Sequence, residues 1–526
     1  VAVIVSKAHR KLLVPATAGA RSLFPGAQEL AHNGQTYLVA DHSLGNVVLT
    51  KHLGFDAPNP MTCYYSWHGG KPFKVQQATC SMLTENPRAY VLNHMGTGKT
   101  KSALWAWDYL YEQGLVGKAL IVAPLSTLHF VWAKEAFMTL PHRKVAVLHG
   151  AKAKRLQRLQ EDADIYVINH DGVKVIHEEL KNRTDINVLI LDELAVYRNN
   201  SDRSKGMRDL ANRFSTVWGL TGAPMPNAPT DVWSQCRIVT PNTVPKYFRH
   251  AQDMLMTKVT QFKYVPKPEA VETAFRFMQP SVRFSLDDVV ELPDIIHQMI
   301  DVDLSPEQKT LYEKVAKELQ VMVKEKLVTA MNAGVAMGKL LQIAGGWVYA
   351  QDKSVVRLDA SPRIDKLLEI IDGNERKLLV FVPYRHALEG LSHVLSGEGG
   401  KRWWSGDPIE HCVVHGQTPN REDLFNAFQN TDKYKVLLAH PECLAHGLTL
   451  TTADTIVWYL PLASLDIYDQ ANARIRRVGQ KHKQQILHLQ GTPVEKKIYA
   501  LLRGKAKVQD QLLGMFEEAS EWRTAA

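Results

Sequence analysis

The chain has 526 residues, 45% of them hydrophobic and 22% charged, with a formal net charge of +9 at pH 7. A length of this order excludes one continuous core and points to about three or four domains, and the composition, without repeats or low-complexity runs, is ordinary for a soluble globular protein. The modest basic excess favours a polyanionic partner, nucleic acid before acidic protein. Five scattered cysteines without a Cys-x-x-Cys pair support neither a disulfide framework nor a zinc site, and fit a reducing compartment.

Residues 1–68 read as a small module of their own. Asn33-Gly34, between Gln28-Glu29-Leu30 and Thr36-Tyr37-Leu38-Val39, predicts a hairpin. A helix is expected from about Ser43 to Leu53, before the break at Pro58-Asn59-Pro60. The opening run Val1 to Val5 meets Lys7, His9, Arg10 and Lys11 at once, too soon for a signal-peptide core or a membrane span. The expectation is a soluble cytoplasmic protein with no membrane partner.

Arg88 to Leu92 predicts a buried strand, Asn93-His94-Met95-Gly96-Thr97-Gly98-Lys99-Thr100 a phosphate loop, and Lys101 to Trp107 the start of a helix. The chemistry requires glycines that let backbone N–H groups approach phosphate oxygens, a lysine for the β- and γ-phosphates, and a hydroxyl for Mg²⁺. Gly96, Gly98, Lys99 and Thr100 meet these needs, while Asn93 stands where the general pattern has another glycine. Further apolar runs at 119–123, 145–148, 165–168, 188–191 and 217–220 each end in a polar or Gly/Pro signal. They predict a parallel α/β sheet with its ligands at the strand carboxyl ends. There Asp192 is expected to hold Mg²⁺ and Glu193 to polarise the attacking water. The basic segment Lys152 to Arg158 reads either as phosphate contacts or as a solvated helix face.

Residues from about Val232 to Ser354 lack this strand rhythm and carry helical stretches at 306–326 and 328–343. A second series of strand-like runs follows, at 378–382, 412–414, 436–438, 455–458 and 485–487. Asp466 to Gln480 predicts a helix stopped by Gly479, with Gln470, Arg474 and Arg477 on one face. Trp403-Trp404 beside Lys401-Arg402 offers aromatic and basic groups for stacking, but tryptophans packed under a loop are the favoured reading.

From Pro72 to Leu513 the chain resembles superfamily 2 helicase-type motors, specifically the SWI/SNF-type double-stranded DNA translocases. Gln76 matches the adenine-reading glutamine, and Ala123-Pro124-Leu125-Ser126 with Trp132 the first DNA-contacting motif. Leu220-Thr221-Gly222-Ala223-Pro224-Met225-Pro226-Asn227 is similar to the coupling motif. His415-Gly416-Gln417-Thr418, Gly447-Leu448-Thr449-Leu450 and Arg477-Val478-Gly479-Gln480 resemble second-lobe motifs, the last closing an arginine-finger helix. The resemblance implies an α/β fold of two RecA-like parallel-sheet lobes. It implies ATP and Mg²⁺ as cofactors, with Met95, Gly96, Thr97, Gly98, Lys99, Thr100, Gln76, Gly447 and Gln470 around the nucleotide. Arg474 and Arg477 are implied as catalytic arginines, and Ser126, Asn169, Thr221, His415, Gly416 and Thr449 as DNA contacts.

The chain departs from the family pattern at Leu194-Ala195, where the family carries a histidine that links the carboxylate strand to the coupling motif. It departs again at Ala445, Thr449, Ala473 and Arg476. No group needed for hydrolysis is lost, so an active ATPase with altered coupling is expected. The expected domains are 1–68, an accessory module for a DNA structure or a partner; 69–235, the first lobe; 236–355, a helical insertion and linker; 356–500, the second lobe; and 501–526, a C-terminal helix. The leading expectation is a monomeric ATP-dependent translocase that moves along or remodels duplex or branched DNA with little sequence specificity, in a bacterial or phage-infected cell. A strand-separating helicase comes second and a nucleotide-switched DNA-binding scaffold third.

Overall fold

A computed structural model describes residues 2–260, 263–289, 293–324, 330–350, 352–398, 407–444, 449–477 and 479–506. The chain divides into two compact units with the boundary after Val289.

The first unit opens with an antiparallel sheet of β1 (Ile4–Ser6), β2 (Lys11–Pro15), β3 (Gln28–His32) and β4 (Gln35–Asp41), in the order β1-β2-β4-β3. Asn33 at φ 49° and Gly34 at φ 75° make the predicted turn between β3 and β4, since both central residues of such a hairpin need positive φ. Helices α1 (Ala18–Leu23) and α2 (Leu44–His52) are capped by the Thr17 and Ser43 hydroxyls. They close a small core of Leu12, Val14, Ala20, Phe24, Leu38, Val47 and Ala57. The next helix, α3 (Pro60–Tyr64), belongs elsewhere, because Met61 and Tyr65 are buried in the core of the following sheet.

That sheet has seven strands, all parallel. Helix α4 (Lys74–Glu85) leads into β5 (Arg88–Val91), and α5 (Lys99–Glu112) into β6 (Lys118–Ala123). Then come α6 (Lys134–Thr139), β7 (Val145–Leu148), α7 (Lys152–Leu159), β8 (Ile165–Asn169), β9 (Ile186–Leu191) and β10 (Thr216–Leu220). In space the strands run Ser281–Val282, β5, β10, β9, β6, β8, β7. The central strands are continuously apolar because both faces are covered. One face packs Trp105, Trp107 and Trp132 under α4 and α5, and the other packs Trp233, Ala274 and Phe277 from helices Asp231–Val239 and Ala270–Phe277. The segment expected as an insertion from residue 236 therefore completes this core and supplies an edge strand.

The second unit is built on a six-stranded parallel sheet, ordered Ile295–Asp301, Gln484–Gln490, Ala453–Trp458, Lys377–Phe381, Val436–Ala439, His411–Val414. Its first strand again comes from the expected insertion, so the boundaries at 235 and 355 are not where the units divide. Helices Pro306–Lys324 and Ala330–Gly345 are present as predicted, joined by Gln308 Nε2 donating to the Ile343 and Ala344 carbonyls. Helix continues to residue 506, and the rest of the expected C-terminal helix lies outside the described residues, as do 401–404. Among the described residues no helix is long and apolar enough to cross a membrane.

Candidate nucleotide site

The phosphate loop connects β5 to α5. Gly96 and Gly98 have φ 87° and 84°, values open to glycine, and Gly98 caps α5 so that the helix amino end faces the loop. A Cβ on Gly98 would also lie 2.2 Å from Gln76 Nε2. Gln76 sits in the first turn of α4, where Oε1 accepts the Phe73 N–H (2.9 Å) and Nε2 donates to the Thr97 carbonyl (3.4 Å). The candidate base-reading residue and the loop are thus in direct contact. Thr97 is buried and its hydroxyl donates to the His94 carbonyl, Met95 is half-buried beside it, and Thr100 is half-buried on the first turn of α5. Lys99 Nζ donates to the Asn93 carbonyl (2.8 Å) and the His94 carbonyl (3.3 Å).

Asn93 explains itself structurally. It is 2% exposed; its Nδ2 donates to Thr79 Oγ1 on α4, and its Oδ1 accepts the Phe284 N–H next to the edge strand. A glycine there would leave both partners short.

Asp192 follows β9, one strand beyond β10. Its Oδ2 accepts Trp132 Nε1–H (2.8 Å) and its Oδ1 accepts the Glu193 N–H (3.0 Å). Burial pushes the Asp192 carboxyl up, opposed by the Trp132 N–H and the nearby Lys99 charge. Glu193 adopts φ 49°, ψ 54°, a left-handed conformation unusual outside glycine and often found at functional sites.

The segment Leu220 to Asn227 lies against the loop. A Cβ on Gly222 would be 3.6 Å from the Asn93 carbonyl, 3.7 Å from Met95 Cγ and 3.8 Å from Lys99 Nζ. Its far end is pinned by Asp231, whose Oδ2 accepts the Asn227 and Ala228 N–H groups.

The remaining expected residues fall into different settings. Ser126 is exposed in the turn after β6. Asn169 is 8% exposed and its Oδ1 accepts Arg155 Nη1–H. Arg155 also donates to the Leu148 and Gly150 carbonyls, so the middle of the basic segment is interior structure. Thr221 is 1% exposed, with its hydroxyl accepting the Ala223 N–H, and presents no side chain to the surface.

In the second unit His415 is half-buried, Gly416 and Thr449 are exposed, and Gly447 lies outside the described residues together with Val478. Gln470 Nε2 donates to Asp466 Oδ1. The helix expected to reach Gly479 ends at Asn472, a correction to the shared face of Arg474 and Arg477. The Asn472 side chain is taken by Trp458 Nε1–H, and the Arg474 N–H returns to the Ala471 carbonyl, tightening the chain into a turn. Arg474 is buried with Nε on the Gln470 carbonyl, while Arg477 reaches Thr449 Oγ1 (3.3 Å). Burial lowers the Arg477 guanidinium to about 10, which leaves it a cation at neutral pH.

The SNF2-related domain model matches residues 81–344, half of the chain, and the helicase conserved C-terminal domain model matches 362–479. The chain belongs to the SNF2-related family. It is an enzyme of the helicase-type ATPase class. Protein p41 of Acyrthosiphon pisum secondary endosymbiont phage 1 is 25% identical over 79% of this chain and 90% of its own length. The ISWI chromatin-remodeling complex ATPase ISW1 of Saccharomyces cerevisiae is 24% identical over 84% of this chain and 40% of its own. The uncharacterized ATP-dependent helicase MG018 of Mycoplasma genitalium is 24% identical over 76% and 37%. The chain thus spans most of the phage protein and well under half of the other two. A solved structure, the Sulfolobus solfataricus SWI2/SNF2 ATPase core in complex with dsDNA, aligns over 86% of this chain and 97% of that one at 19% identity and a TM-score of 0.38.

Within this SNF2-related chain, Ala195 stands where the resemblance expects a histidine and is 2% exposed. Its neighbour Leu194 packs so closely on β10 that a Cβ at Gly219 would meet Leu194 Cδ2 at 2.6 Å. Apolar packing joins the carboxylate strand to the strand that carries the coupling segment. Three residues at this site escaped the sequence reading in their actual roles: Trp132 as the donor to Asp192, Asn93 as a clasp, and Asp231 as the anchor of the coupling segment. Trp132 carried a signal as the tryptophan that follows the first DNA-contacting motif, and Asn93 as the residue in place of a loop glycine.

Proposed function

We propose that this chain is an ATP-driven translocase on double-stranded DNA. The observation that carries the reading is the convergence, on one sheet edge, of the phosphate loop, the Asp192-Glu193 pair and a coupling segment whose Gly222 lies against Lys99. A segment packed on the phosphate-binding lysine feels any change in what that lysine holds, which is what coupling hydrolysis to movement requires. In this reading the Gly96 to Thr100 backbone and Lys99 cradle the triphosphate of ATP, and Gln76 meets the base. The Thr100 hydroxyl and Asp192 carboxylate form a hard-oxygen donor pair for Mg²⁺, which would supply charge neutralisation at the phosphates. Glu193 orients the attacking water, and Arg474 and Arg477 act as the arginine pair that stabilises the transferring phosphoryl group.

The basic excess and the remodelling and helicase names of the relatives support DNA as the track. Contacts are assigned to Ser126, Asn169, His415, Gly416 and Thr449, on phosphates and with little sequence readout. Thr221 is assigned to the coupling segment. The amino-terminal module selects the DNA structure or partner, and the phage relative favours a bacterial or phage setting.

ATP turnover with and without duplex DNA tests the proposal. Duplex should stimulate turnover, Glu193→Gln should lower it by about 100-fold or more, and the native chain should displace a triplex strand. Unwinding of blunt duplex without triplex displacement would make it a helicase, and equal low turnover for native and Glu193→Gln a scaffold.

A further inference from the structure

His68, Asp108, Glu112 and His142 bring four potential ligand atoms within 4.8 Å of one another. We propose that they form a site for a transition-metal dication of the zinc class, separate from the Mg²⁺ site. The donor set is two imidazoles and two carboxylates, which suits zinc, cobalt or nickel and is too nitrogen-rich for magnesium or calcium.

The geometry is close to what such an ion needs. Bonds of about 2.0–2.1 Å to a tetrahedral centre place neighbouring donors about 3.3–3.4 Å apart, and His142 Nε2 lies 3.3 Å from Asp108 Oδ1. Rings of His68 and His142 are 4.5 Å apart between centroids. Asp108 and Glu112 stand one turn apart on the same face of α5. Among the described residues the His68 ring nitrogens make no hydrogen bond, and Glu112 has only an ion pair with Arg143 at 3.8 Å. Two of the four donors therefore keep their lone pairs unspent.

The supports are rigid. The His68 carbonyl accepts Trp105 Nε1–H and the Gly69 carbonyl accepts Lys101 Nζ. A Cβ on Gly69 would meet the backbone at Thr139 at 2.5 Å, so this segment is pressed against the end of α6. Outer partners orient the buried Asp108: Tyr65 OH donates to Oδ2 (2.6 Å) and Arg143 Nε to Oδ1 (2.6 Å). Arg143 offsets one carboxylate charge, leaving one negative charge and two imidazoles to hold the ion. At roughly 1.5 Å per residue the cluster lies about 14–20 Å along α5 from Lys99. Its role is a staple that ties the segment after the amino-terminal module to α5 and to the turn after α6.

The 526-residue chain, stripped with chelator and freed of Mg²⁺, is titrated with ZnCl₂ and followed by bound-metal analysis and thermal melting, then with CoCl₂ and followed by its visible spectrum. One equivalent of zinc, a melting rise of several degrees and a tetrahedral cobalt spectrum are expected. Single His68→Gln and Glu112→Gln variants, both changes at accessible side chains, should keep the metal-free melting point and weaken zinc binding at least tenfold. No stoichiometric binding, or binding that survives the paired H68Q/E112Q change, overturns the proposal.

Discussion

Asn93 and Trp132 show how much of the site's chemistry rests on single side chains outside the expected set. Replacing Asn93 with glycine matches the general loop pattern yet removes bonds to Thr79 and Phe284. A buried N–H left without its acceptor costs about 1–3 kcal/mol, so Asn93→Gly should lower the melting temperature. Trp132→Phe keeps most of the buried ring and removes the donor to Asp192. That N–H favours the charged carboxylate, so its loss should move the acid limb of the kcat/KM profile to higher pH and weaken Mg²⁺-dependent turnover about 10- to 100-fold. The loop itself was legible because glycine, lysine and threonine at fixed spacing have few other uses. Trp132 and Asp192 were legible as letters only, since the bond between them spans sixty positions and no local pattern encodes it. The proposed metal cluster was hidden for the same reason: its donors come from three separate segments, and only Asp108 and Glu112 share an element.

At the scale of elements, the interior strands of both sheets followed from apolar runs, because strands covered on both faces carry little else. So did the edge strands β7 and His411–Val414, but the edge strands Ser281–Val282 and Ile295–Asp301 did not. Ser281–Val282 is too short to show a pattern, and in Ile295–Asp301 the polar pair His297-Gln298 splits the apolar residues into two short pairs, with no buried position to set an alternation. The arginine helix was predicted too long because its terminator is a tertiary bond, from Trp458 to Asn472, and not the glycine seven residues on. The strand beside Ile295–Asp301 carries a titration switch. His488 sits between Tyr468 OH and the Gln298 carbonyl, and burial pushes it down to about 4. An unfolded histidine titrates near 6.5. The unfolded chain therefore binds the extra proton first as pH falls, and the contribution present above about 6.5 is lost toward 4, by up to about 3 kcal/mol. His488→Gln should flatten the pH dependence of the second unit's melting temperature between these values; an unchanged slope would assign the effect elsewhere.

For the whole molecule, the informative boundary is that of the amino-terminal module. Composition placed it at residue 68, where a phosphate-loop lobe was expected to begin. The packing places Ala57 in the module and Met61 and Tyr65 in the core of the large sheet, with the break at Pro58-Asn59-Pro60 between them. Asn59 bridges the two by donating to Thr84 Oγ1 and Glu85 Oε1, and Lys51 pairs with Glu85 at partly exposed positions. A chain beginning at residue 58 loses the Lys51–Glu85 pair, the His42 bond to Tyr64 and the Leu44 contact with the large core, and should stay folded with a melting point lower by several degrees. A chain beginning at residue 69 loses two buried side chains and the Tyr65–Asp108 bond, a cost of about 5 kcal/mol or more. Calorimetry on the two truncations separates these outcomes, and only the first is a fair test of what the module recognises.

The left-handed backbone at Glu193 sets the catalytic demand against the stability of the fold. A side chain there costs about 1 kcal/mol or more that glycine would not. Glu193→Gly should therefore melt higher than the native protein while hydrolysing almost no ATP. Selection for heat resistance alone would erode this position first, so a hardened variant of the protein should be checked for turnover before anything else.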